Sequence, residues 1–181
     1  MMKETKKLTV SAMAVALSVL FLLVGAAFEL MDLTAAALAS AVVVFIYIEI
    51  GSPYTWLCWL ATSLISFLLY SGSAVWLNYF LVFGCYPIVK GYIERLPRVI
   101  WLTFKLLFVN AELVLMFLGT EYILGVPFFG DLSLFGLSPL AVRSALWLGL
   151  ILAFLLYDRF ITLCAGFYTV RLAPTVRKLL K

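Results

Sequence analysis

The segment Thr103–Phe117, TFKLLFVNAELVLMF, carries Lys105, Asn110 and Glu112 inside a run that is otherwise apolar from Val99 to Gly119. The run is continuously apolar rather than alternating, which predicts a helix and not a barrel strand. Its length matches the ~20 residues that a helix needs to cross ~30 Å of hydrocarbon. Lys105 falls about two turns from one end, so its stem is expected to reach back to the interface. Asn110 and Glu112 stand 11 and 13 residues beyond Val99, hence roughly 17 to 20 Å up the helix. A charged side chain at that depth costs several kcal/mol unless it faces protein or water, so it marks a functional site by default. The alternative is a protonated Glu112 that bonds a neighbouring helix as structural glue. The two residues lie about 200° apart around the axis and need not share one pocket.

The rest of the chain fits the same solvent. Of 181 residues, 66% are hydrophobic and 12% charged, where a soluble domain carries about a quarter charged; mean hydropathy is +1.16. These values predict an all-α integral membrane protein, one membrane domain over residues 1–181 with no separate soluble module. The net charge is +4, but the basic residues sit at segment ends, a topology signal and not a nucleic-acid one. Cys58, Cys85 and Cys164 are widely spaced in apolar runs and read as small hydrophobes. There is no histidine and no CxxC, which leaves zinc, haem and a histidine-based triad without support. No metal or other cofactor is expected.

Six apolar segments can be marked, at approximately 8–28, 33–50, 54–70, 74–93, 99–119 and 140–157. The first follows a basic start, MMKETKK, but is long enough to span, so it reads as an uncleaved helix. With the N-terminus placed in the cytoplasm, twelve of the thirteen Lys and Arg residues fall on or near the cytoplasmic side. Arg143 is the exception. Glu29, Asp32, Glu121 and Asp131 fall outside. Six transmembrane helices with both termini cytoplasmic satisfy this bias. Pro87 is expected to kink the fourth helix. Asp158-Arg159 are adjacent and do not face each other, which places them at the cytoplasmic interface. Residues 160–181 then form a basic interfacial tail. The apolar link 120–139 is long for a connector and reads as a lid or as a short interfacial helix.

Polar groups converge at one depth. The fourth segment starts outside, placing Trp76, Asn78 and Tyr79 in its outer turns. Trp and Tyr there also suit an aromatic belt. Arg143 lies in the first turn of the sixth segment, within reach of an acidic partner or an anionic ligand. Trp76, Asn78, Tyr79, Asn110, Glu112 and Arg143 are therefore the candidate substrate-binding residues, on the expectation that they share a small-molecule pocket. Ala12 and Ala16, at i and i+4, give the first helix a small face that lets another helix approach closely.

KKLTVSAMAVALSVLF, followed by an acidic turn and an alanine-rich second helix, resembles the opening of the substrate-binding (S) components of energy-coupling factor vitamin transporters. The likeness covers the first helix in pattern and the remainder in length, span number and topology. It implies a six-helix protein of a prokaryotic cell membrane that captures a vitamin-like solute at the outer face. It also implies a separate transmembrane coupling subunit, contacted through Ala12 and Ala16, and ATPase partners. The chain itself has no GxxxxGK[ST] and is expected to be non-catalytic. The alternative is a membrane scaffold of the cell envelope working through the GYIERLPR turn (residues 91–98) and the basic tail.

Overall fold

Small residues decide how the helices meet. The computed structural model describes residues 4–28, 32–125, 128 and 138–179. Its elements in chain order are α1 (Glu4–Ala27), α2 (Asp32–Glu49), α3 (Ser52–Tyr70), α4 (Ala74–Asn78), α5 (Tyr86–Ile93), α6 (Arg98–Tyr122), α7 (Pro139–Phe167) and α8 (Ala173–Leu179), and among the described residues there are no strands. α2 is the central helix. Its Ala36, Ala39 and Val43 pack with Leu22 of α1 and with Val75, Tyr79 and Ile88 of the fourth segment. Its Val44 joins Tyr86, Val109, Leu113 and Phe154, and its Ile46 meets Ala14 and Cys58. Alanine at the contact positions permits such close helix approach. At Gly25 of α1 an added Cβ would lie 2.6 Å from Cβ of Ala35.

The surface is apolar and the interior holds hydroxyls. Leu68, Leu107, Leu148 and Leu156 are exposed, whereas Ser18, Ser40, Thr55, Thr62 and Ser66 are buried. Several inner hydroxyls bond their own helix or its cap, as Ser40 does to the Ala37 carbonyl (2.6 Å) and Thr55 to the Gly51 carbonyl (2.9 Å). This is the arrangement expected where lipid is the solvent. Among the described residues, five helical stretches are long and apolar enough to cross a membrane: Glu4–Ala27, Asp32–Glu49, Ser52–Tyr70, Arg98–Tyr122 and Leu140–Val176.

The fourth segment, 74–93, is helical but not regular. Between α4 and α5 the turns widen over Tyr79–Phe83, and the Gly84 N–H donates to the Tyr79 carbonyl five residues back at 2.7 Å. The ladder therefore changes before Pro87, which lies in the first turn of α5, and Pro87 does not stand alone as a kink. Carbonyls displaced from the ladder find side chains. The Trp59 indole N–H of α3 donates to the Phe80 carbonyl (3.1 Å). The Phe83 carbonyl, whose usual partner four residues on is the proline, accepts the Tyr157 hydroxyl of α7 (3.0 Å). This is how a helix tolerates proline inside a bundle. Tyr157→Phe should cost about 1 to 3 kcal/mol, because a partly buried carbonyl loses its donor. Pro87→Ala restores an N–H at that point, so the double variant should recover part of the loss. Equal losses in the presence and absence of Pro87, measured by unfolding in detergent, would break this account.

The sixth segment also differs from expectation. The helix does not stop at Tyr157: α7 runs on to Phe167, turns widen again over Tyr168–Leu172, and α8 follows. Ile161, Tyr168 and Ala173 are buried in the bundle. Much of the segment read as a surface tail thus continues the long helix. Residues 126, 127 and 129–137 lie outside the described residues, and with them most of the link read as a lid or a short interfacial helix.

Candidate functional site

α6 presents one face to a cavity. Val109, Glu112, Leu113 and Met116 recur at helical spacing and form its wall. Val82 and Phe83, from the widened turns, form a second wall. Leu150, Ala153, Phe154 and Tyr157 of α7 form a third, and Leu33 in the first turn of α2 closes the end. The cavity measures about 110 Å³ and opens to the outside of the bundle. Glu112 supplies the single carboxylate. It is 8% exposed, and its Oε2 has no hydrogen-bond partner among the described residues. The only other polar side chain in the described lining, that of Tyr157, donates its hydroxyl to the Phe83 carbonyl. An orphaned carboxylate oxygen beside a void is an acceptor awaiting a donor.

The other five candidates stand elsewhere. Asn110 turns away from Glu112, as the 200° offset allows. Its amide donates to the Leu106 carbonyl (2.8 Å) and its Oδ1 accepts the Trp147 indole N–H (3.1 Å) on the outer surface. Arg143 is exposed in the second turn of α7. Tyr79 is wholly buried in the core around α2. Asn78 is buried, with its Oδ1 unpartnered among the described residues. Trp76 donates to the Ser71 carbonyl (2.9 Å) and packs edge-on against Phe67. It lines a separate groove with Leu60, Ser63, Leu64, Phe67 and Phe80. Of the six, Glu112 alone borders the cavity. Ala12 and Ala16 are exposed on α1, opposite the buried face made by Ser11, Ala14, Ser18, Leu22 and Gly25.

A second polar centre joins α5, α6 and α7. Asp158 of α7 is buried and binds two lysines. Lys105 of α6 reaches both of its carboxylate oxygens at 2.9 Å. Lys90 of α5 pairs with the same carboxylate and donates to the Asp158 carbonyl at 3.2 Å. The Tyr86 hydroxyl donates to Asp158, and Glu94 lies 2.9 Å from Lys90 and 3.6 Å from Lys105. Two cations and two anions make the network formally neutral. Lys105 therefore turns inward instead of reaching for the interface, and Asp158 lies inside the bundle and not at its edge; Arg159 is the exposed member of that pair. One sequence signal pointed here. Apolar residues continue past Asp158 through ITLCAGFYTV, so the acid sits within a helix that stays apolar and requires a cation from another helix.

No family model, no curated protein and no solved structure matches this chain.

Proposed function

We propose that the chain is the substrate-capture subunit of a small-solute uptake transporter in a prokaryotic cell membrane, non-catalytic and dependent on a coupling subunit and ATPases. In this reading 74–93 serves as a sixth span, both termini are cytoplasmic, and the cavity opens in the outer half of the bilayer. The observation that carries it is Glu112. A buried carboxylate with an orphaned oxygen, beside a void lined by apolar and aromatic side chains, has the composition of a ligand site. The exposed Ala12/Ala16 face is free to meet a coupling helix, as the resemblance in α1 implies. The cavity is smaller than the ~300 to 1,000 Å³ of a drug-sized site. A vitamin-sized solute therefore requires α6 and α7 to separate, which also provides a route for release.

Mass spectrometry of small molecules retained by the purified chain tests this. A single solute should accompany the wild type and fall at least tenfold in Glu112→Gln. Repeatedly empty preparations, with no thermal shift across a vitamin panel, would overturn the reading. The envelope-scaffold alternative draws on the turn after α5, where Arg95 stacks on Tyr92 and Arg98 on Trp101 at the surface. Specific co-purification of wall-synthesis proteins with that turn intact would favour it.

A further inference from the structure

We infer that the Glu112 cavity selects a ligand bearing a primary or substituted ammonium group on a short apolar body. The inference rests on the capture reading above and adds the chemical class of what is captured. Glu112 is more than nine-tenths buried, and its Oε2 is unpartnered. None of the described cavity-lining residues is cationic. The two lysines nearest in the sequence of α6 and α5 are committed to Asp158. For an ionised Glu112 the balancing charge is therefore assigned to the ligand.

Three rings point the same way. Phe83, Phe154 and Tyr157 all line the cavity, with Phe83 and Tyr157 edge-to-face at 4.7 Å between centroids. Aromatic rings attract a cation through their quadrupole, by ~0.5 to 2 kcal/mol each when desolvated. A carboxylate among aromatic rings is complementary to an ammonium. It repels a carboxylate or phosphate, and a neutral alcohol gains only one ordinary hydrogen bond. Size limits the body. A cavity of about 150 Å³ accommodates benzene, so one of about 110 Å³ accepts a chain of four or five heavy atoms, with any larger remainder in the opening beside Ala153.

The test uses the full chain in a detergent free of amine lipids at pH 7.5, with n-butylammonium, n-butanol and n-butyrate titrated into it and thermal stability and intrinsic fluorescence recorded. Saturable binding of butylammonium, at least tenfold tighter than butanol and with no response to butyrate, is expected. Glu112→Gln should reduce butylammonium binding at least tenfold and leave butanol unchanged. Ala153→Phe, at the exposed rim, should abolish both. Equal binding of all three probes, or unchanged butylammonium binding in Glu112→Gln, would overturn the inference. If Ala153→Phe abolishes binding of butanol while butylammonium shows no advantage, the capture site stands and the ammonium preference fails. If no probe binds and no solute is retained, both fail. Repeating the titration in nanodiscs with phosphatidylethanolamine separates the two sources of an ammonium group. Competition by that lipid, absent with phosphatidylglycerol, identifies a headgroup, and its absence identifies a free amine.

Discussion

Asp158→Asn is expected to destabilise the bundle by about 3 to 5 kcal/mol, the scale for removing one partner of a buried ion pair. The substitution keeps the shape of the side chain and removes its charge. Lys90 and Lys105, both buried, are then left with Glu94 alone, one anion for two cations. Lys105→Met errs in the other direction, leaving Lys90 to balance both Asp158 and Glu94. The double variant Lys105→Met/Asp158→Asn retains one cation and one anion, the Lys90–Glu94 pair at 2.9 Å. It should therefore be less damaged than the sum of its parts, with a coupling of about 1 to 3 kcal/mol. Unfolding by denaturing detergent, monitored by tryptophan fluorescence, measures all three. Strict additivity would show that the four charges do not act as a unit. A near-silent Asp158→Asn would show that water reaches the lysines.

The spans were legible because their signal is local. Twenty continuous apolar residues cannot be much else, and α1, α2, α3 and α6 begin and end within a few residues of where hydropathy places them. What failed was any feature set by a partner on another helix. Lys105 alone, two turns from a helix end, invites the snorkelling interpretation; only the position of Asp158, 53 residues on, turns it inward. Asn110 and Glu112 look alike in depth, yet depth says nothing about azimuth. One faces Trp147 at the surface and the other faces the cavity. The end of α7 was misplaced for a related reason. A charged pair reads as an interface when no internal counter-ion is visible, and the counter-ions are on α5 and α6. Glu112 borders the cavity, and a carboxylate inside an apolar run is conspicuous in sequence wherever it points.

Gly84→Val should be nearly as harmful as the loss of Asp158, and for a steric reason. The fourth segment widens its turns immediately before this residue, bringing the helix backbone against α3. A Cβ at position 84 would lie 2.5 Å from Cδ1 of Trp59, 2.9 Å from Cζ of Tyr79 and 2.9 Å from the Tyr79 carbonyl oxygen. The last is the oxygen that accepts the Gly84 N–H, so it cannot retreat without breaking the widened turn. Trp59 is also held in place: it stacks on Phe80 at 5.1 Å and donates to the Phe80 carbonyl. Neither neighbour gives way cheaply. Overpacking of this kind costs about 1 to 3 kcal/mol; Gly84→Ala is expected near the lower figure and Gly84→Val at or above the upper one. The damage should extend to the cavity, because Val82 and Phe83 belong to the same widened turns and form one of its walls. On the proposed capture function, Gly84→Ala should therefore weaken ligand retention in a protein that still folds, while Trp59→Phe/Gly84→Ala, which shrinks the opposing ring, should regain part of the stability and of the retention. If Gly84→Ala is as stable as the wild type, the contact between α3 and the widened turns is looser than the distances require. The cavity wall would then owe nothing to the glycine.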